Sequence, residues 1–104
     1  MMLRTKWAVL LLAGCIAAPV FGQTGAQTYK AKCQMCHGGM GLADSGAGKA
    51  MKVKPATDPE VKKMTEAQMI DAVRNGMGKM QAYKDKLTEA QIKDSVTYFR
   101  TFVK

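Results

Sequence analysis

Five consecutive residues, Cys33-Gln34-Met35-Cys36-His37, leave this chain fewer options than any other stretch, because they hold two of its three cysteines and its only histidine. Two residues between the thiols, with an imidazole directly after the second, is the spacing by which a c-type haem is attached. Both sulfurs can form thioethers to the vinyl groups on one edge of the porphyrin. The histidine then lies under the iron as proximal ligand, a role haem proteins commonly give to imidazole. Other chemistries fit less well. A structural zinc site takes about four ligands in tetrahedral array, and beyond these three the only further thiol or imidazole is Cys15, in an apolar leader. A thioredoxin-like C-x-x-C opens a helix in a βαβ frame, and no strand-like alternation surrounds this one. A Cys33 to Cys36 disulfide with His37 on the surface suits an oxidising compartment but gives no role to the residues after it.

That compartment is indicated at the start of the chain. Arg4 and Lys6 precede an apolar run from Trp7 to Ile16, followed by Ala17-Ala18-Pro19-Val20-Phe21-Gly22, the charge, core and small-residue order of a secretory signal. The run is shorter than the roughly twenty apolar residues that span a bilayer. Residues 1–22 are therefore expected to be a signal peptide and residues 23–104 the functional domain, exported to a bacterial periplasm. A second route is open: Leu12-Ala13-Gly14-Cys15 resembles a lipoprotein lipobox, in which residues 1–14 are removed and Cys15 is acylated. Such a chain would be held to a membrane, firmly if more than one acyl group is added.

From residue 23 onward there are fourteen Lys and Arg against eight Asp and Glu. Such an excess favours steered encounter with acidic protein surfaces. Nucleic acid is excluded as partner by export and by the lack of a basic stripe interleaved with aromatics. A domain this small buries only a modest core, and small domains often depend on a disulfide, a metal or a cofactor. A haem would supply a large apolar plate.

Along the chain, Thr24 is expected to cap a first helix running from Gly25 to about Met35, stopped by Gly38-Gly39. From Gly38 to about Pro59, clustered glycines followed by Pro55 and Pro59 predict a long loop of the kind that wraps a flat cofactor, with a short helical piece near Lys49 to Val53. Met64-Thr65-Glu66-Ala67-Gln68 and Leu87-Thr88-Glu89-Ala90-Gln91 each read as a staple residue followed by a capping box. Two helices start there, one ending near Asn75-Gly76, the other running from about Glu89 to Val103. On the last, Ile92, Val96, Phe99 and Val103 form one apolar stripe, expected to pack near Tyr29, with Tyr98 and Phe102 beside it.

A low-spin electron carrier needs a second axial ligand, and methionine paired with histidine is typical of cytochromes c. Seven methionines follow the leader. Met35 and Met40 lie too close to His37 to cross the ring, and Met64 and Met69 read as core. Met51 sits in the long loop and stays open. The glycine-rich connection Asn75-Gly76-Met77-Gly78-Lys79-Met80-Gln81-Ala82-Tyr83 can approach a flat ring closely, which points to Met80, with Met77 as its rival.

Taken together, the Cys33 to His37 motif, the Gly-rich loop, the middle helix, Gly78-Lys79-Met80 and the aromatic C-terminal helix resemble the small class I monohaem cytochromes c. The resemblance implies an all-α cytochrome c fold: three main helices with Gly-rich loops wrapped around one covalent haem c. It implies thioethers at Cys33 and Cys36 and iron ligation by His37 and Met80, the methionine after Gly-Lys being the family's sixth ligand. Gln81 stands where the family usually has proline. A loop carbonyl, often near a proline, usually orients the histidine's other nitrogen; here Pro55 sits where these small members more often have another residue, and that contact is not assigned. Tyr83 and Lys54 are expected at the haem edge. The function implied is one-electron transfer between membrane-bound or periplasmic partners by a monomeric carrier that is not itself an enzyme. The alternative is a sensor or peroxidase-like protein with an open or labile sixth site.

Overall fold

Three threonines begin the three longest helices. The computed structural model describes residues 24–104, so the leader, cleavage after Gly22 and lipidation at Cys15 lie outside the described residues. Within them the helices are α1 (Gly25–Lys32), α2 (Gln34–His37), α3 (Gly46–Ala50), α4 (Pro59–Lys63), α5 (Glu66–Asn75) and α6 (Glu89–Arg100). Thr65 and Thr88 form the expected capping boxes with Gln68 and Gln91, and Thr24 forms a third with Gln27. Each satisfies two backbone donors that a helix start leaves open, and each cap stabilises by about 1 kcal/mol.

Several boundaries differ from expectation for local reasons. The first helix does not run unbroken to Met35. Cys33, at φ −115°, ends α1 by donating its N–H to the Tyr29 carbonyl at 2.8 Å, and its own carbonyl then accepts from Cys36 and His37 at 3.2 and 3.0 Å. The thiol-bearing segment is thus a separate turn, closed by Gly38 at φ 83°. In the long loop the helical piece begins at Gly46 rather than Lys49, because Ser45 accepts from the Gly48 N–H at 2.9 Å. A further turn, α4, follows the Asp58 cap with Pro59 at its first position, where a missing N–H costs nothing. The last helix gives way after Arg100 to tighter bonds, Thr101, Phe102 and Val103 each donating to the carbonyl three residues back.

Helix α6 packs against both α1 and α5. At the first contact, a Cβ on Gly25 would stand 2.3 Å from the Asp94 carbonyl oxygen, so only glycine lets the two backbones approach this closely. Tyr29 is buried there, its ring 5.3 Å from Tyr98, 6.2 Å from Phe99 and 5.9 Å from Phe102, and its hydroxyl donates to the Gly38 carbonyl at 2.5 Å. On the other side, Ile92 and Val96 join Met69, Val73 and Leu87 in the buried cluster. The expected stripe of Ile92, Val96, Phe99 and Val103 therefore packs on this cluster rather than on α1, with only Phe99 also meeting Tyr29, while Tyr98 and Phe102, expected beside the stripe, make the rest of the contact with Tyr29. Among the described residues the one β-type pairing is an isolated bridge, and no helix is long and apolar enough to cross a membrane.

Candidate haem-binding site

The helices and loops line an open-sided cavity of about 1220 Å³, larger than the roughly 300–1,000 Å³ of ordinary small-ligand sites. One wall carries Cys33, Cys36 and His37, with Tyr29 and Phe99 behind them. The His37 ring meets Phe99 edge-on at 5.4 Å between centroids. Its Nδ1 is buried and has no hydrogen-bond partner among the described residues, and burial lowers the imidazole pKa. The carbonyl of Pro55 accepts from the Asp58 N–H at 2.9 Å, in the turn that leads into α4. Cys33 and Cys36 form no disulfide, and burial would hold an unattached Cys33 thiol up at about 11.

Glycine makes this wall possible. The α3 backbone lies against the Cys36 carbonyl so tightly that a Cβ on Gly48 would sit 2.3 Å from that oxygen and 2.8 Å from the Ala43 carbonyl. Beyond α3, Met51 lines the cavity with its Sδ 3.9 Å from the Cys36 Sγ. Lys54 also lines it, paired with Glu60. Val61 from α4, Met64 at its C-cap, and Met69, Ala72 and Val73 from α5 add apolar lining.

Met77 and Met80 come from the connection after α5. They exchange both backbone hydrogen bonds, at 3.0 and 2.9 Å, across the two-residue turn Gly78-Lys79, in which Gly78 takes φ 56°. Residues paired in this way are about 5.5 Å apart at Cα with side chains on the same face, and both line the cavity. Their burial differs: Met77 is 59% exposed, whereas Met80 packs against the buried cluster. Beneath the turn, Gly76 at φ 84° has the Met80 carbonyl where a Cβ would be 2.9 Å away. Tyr83 closes this side. Its N–H donates to Val73 at 2.9 Å and its hydroxyl to the Lys32 carbonyl at 3.1 Å, and burial raises the phenol above its ordinary range.

All the residues expected at the site, Cys33, Cys36, His37, Met80, its rival Met77, Tyr83 and Lys54, thus border one cavity. Met51, which the sequence left open as a candidate ligand, borders it too; the α4 wall was not assigned to it by sequence, although Asp58-Pro59 is a readable helix start. Two thiols, an imidazole and thioether sulfurs around a large apolar space are the donor set a covalent haem requires, and the residues present fit it. Fold and donor set together define a c-type cytochrome.

Residues 21–99 match the family described as cytochrome C oxidase, cbb3-type, subunit III, and the chain belongs to that family. Among curated proteins none matches the sequence. Among solved structures, the KustC0563 c-type cytochrome is similar at 27% identity and a TM-score of 0.71, covering 79% of this chain and 100% of its own. A tyrosine-to-phenylalanine mutant of Kustc0563, at 24% identity and a TM-score of 0.64 over 77% and 99% of the two chains, shows the same fold. The chain is a small monohaem c-type cytochrome with covalently bound haem c, a haem-based electron carrier.

Proposed function

We propose that Cys33 and Cys36 carry the thioethers, that His37 and Met80 are the axial ligands, and that the exported protein passes single electrons between periplasmic or membrane-bound partners. When bound, the haem supplies the chemistry, a ferric–ferrous change with the ligands kept in place. The protein's residues supply burial, fixed ligands and charge. The observation that carries the reading is that His37 and Met80 reach one apolar cavity from separate elements, Met80 being the half-buried member of its pair with Met77. Phe99 bears on the imidazole from α6, and the turn at Gly78 presents the thioether. Lys32, Lys52, Lys54 and Lys79 also line the cavity against Glu60 and Asp71, an excess of positive charge that favours docking of acidic surfaces.

The test is the absorbance of the oxidised holoprotein. A weak methionine-to-iron band near the red edge is expected; it disappears in Met80→Ala and persists in Met77→Ala. The opposite pattern transfers the ligand role to Met77, and a high-spin spectrum of the unmodified protein would overturn the carrier reading. Mass spectrometry of the mature protein is expected to show one haem and an N-terminus near Gln23; acylation at Cys15 would replace periplasmic solubility with membrane attachment.

A further inference from the structure

Gln81 follows Met80 at the position where the resembling family usually has proline, so something other than a pyrrolidine ring must hold the ligand loop. A group of side chains placed just beyond Met80 meets that need. Tyr83 donates its hydroxyl to the Lys32 carbonyl at 3.1 Å. Lys32 is the last residue of α1, and its carbonyl is one of those a helix end leaves without an internal partner. Gln81 Nε2 donates to the Tyr83 oxygen at 3.3 Å, and Lys86 Nζ donates to Gln81 Oε1 while standing 5.8 Å from the centre of the Tyr83 ring. The Tyr83 backbone is engaged as well: its N–H bonds to Val73 in α5, and its carbonyl accepts from Lys86 and Leu87.

We propose that Tyr83, with Gln81 and Lys86, is a latch that positions Met80 by tying the ligand loop to the residue before Cys33. It joins the chain three residues after Met80 to the carbonyl one residue before the first thiol. The two segments that bound the cavity on this edge therefore cannot part without breaking the Tyr83 to Lys32 bond. A crevice of about 250 Å³ lies between them, lined by Ala31, Met35 and Cys36 on one side and Gln81, Tyr83 and Lys86 on the other. It is the gap that would widen if the latch opened. Tyr83 is a positioning residue and acts through Met80.

The inference rests on Met80 being the ligand, and the experiment separates the two. Imidazole is titrated into the oxidised holoprotein. Its apparent affinity follows the fraction of molecules in which methionine is away from the iron. Loss of one net hydrogen bond, near 1 kcal/mol, raises that fraction about fivefold, so Tyr83→Phe is expected to bind imidazole about fivefold more tightly. The guanidinium midpoint of its helical signal should fall by no more than about 0.3 M, the share of that one bond. Adding Gln81→Pro to Tyr83→Phe should restore weak binding. The Gln81 N–H donates no hydrogen bond among the described residues, so a proline there removes none. Unchanged imidazole affinity in Tyr83→Phe overturns the latch, as does an increase that Gln81→Pro does not reverse. If Met80→Ala itself binds imidazole no more tightly than the unmodified protein, the ligand assignment fails; if Met80→Ala binds tightly and Tyr83→Phe does not, the latch alone fails.

Discussion

Two glycines in α3, two positions apart, should respond to alanine in opposite directions. At Gly46 an added Cβ meets nothing within 4 Å, and its φ is not in the left-handed region. Gly46→Ala therefore only restricts the unfolded chain and improves helix propensity, a gain of about 0.5–1 kcal/mol. At Gly48 the same Cβ would stand 2.3 Å from the Cys36 carbonyl oxygen and 2.8 Å from that of Ala43. Both obstacles are backbone, so no side-chain rotation relieves them. Parting the segments by on the order of 1 Å would forfeit a quarter to a half of each dispersion contact across the gap. Overpacking costs about 1–3 kcal/mol, and this site lies at the upper end. Offset by the alanine gain, Gly48→Ala should lose about 2 kcal/mol. With a guanidinium slope of about 3 kcal/mol/M, typical of a small domain, the unfolding midpoint of the holoprotein falls by about 0.7 M, while that of Gly46→Ala rises by about 0.2–0.3 M. If the two variants shift together, or Gly48→Ala stays within about 0.2 M of the unmodified protein, the close approach of α3 to Cys36 is not what holds this wall.

Gly76→Ala meets both a glycine-only backbone region, φ 84° and ψ 161°, and the Met80 carbonyl at 2.9 Å; it should cost about 1–3 kcal/mol, seen as a lower thermal midpoint of the methionine band than in Met77→Ala. Arg74 holds the Glu89 carboxyl below its ordinary value of 4.5, chiefly by hydrogen bonds. A lowered folded pKa gives stability that is complete above the unfolded carboxylate range and lost as pH falls through the folded value. Glu89→Gln should therefore lower stability slightly at pH 7 and not at all below the folded value, flattening that part of an acid-unfolding profile by a small amount because the pair is exposed. Electron transfer to an acidic partner should slow as salt rises from 0.01 to 0.15 M, where the screening length drops from about 30 to 8 Å; rates indifferent to ionic strength would remove the charge-steering argument.

The parts of this fold that could be read in advance are those whose causes are local. Thr65, Gln68, Thr88 and Gln91 start helices through bonds spanning three residues, so α5 and the start of α6 stand where the sequence places them. The Cys33 to His37 spacing is equally local chemistry. What could not be read depends on distant backbone. Nothing near Cys33 announces that the helix breaks there, and the requirement for glycine at 25 and 48 comes from Asp94 and from Cys36 and Ala43. The apolar period of α6 likewise shows that one face is buried without showing that the Met69–Val73 pair, rather than Tyr29, receives it.

The methionines show the same limit at the site itself. Proximity to His37 removes Met35 and Met40, and both are exposed in the structure. Between Met77 and Met80, however, spacing carries no preference, because a two-residue turn places them opposite each other with side chains on one face. What separates them is depth, and depth is set by neighbours: the buried cluster of Met69, Val73 and Leu87 receives Met80 and leaves Met77 exposed. Gly76 fixes how the turn meets that cluster, since any side chain there would push against the Met80 carbonyl. On the proposed assignment the choice of Met80 over Met77 follows from tertiary packing on α5, and substitutions in that cluster should disturb the iron's sixth position before they disturb attachment at Cys33 and Cys36.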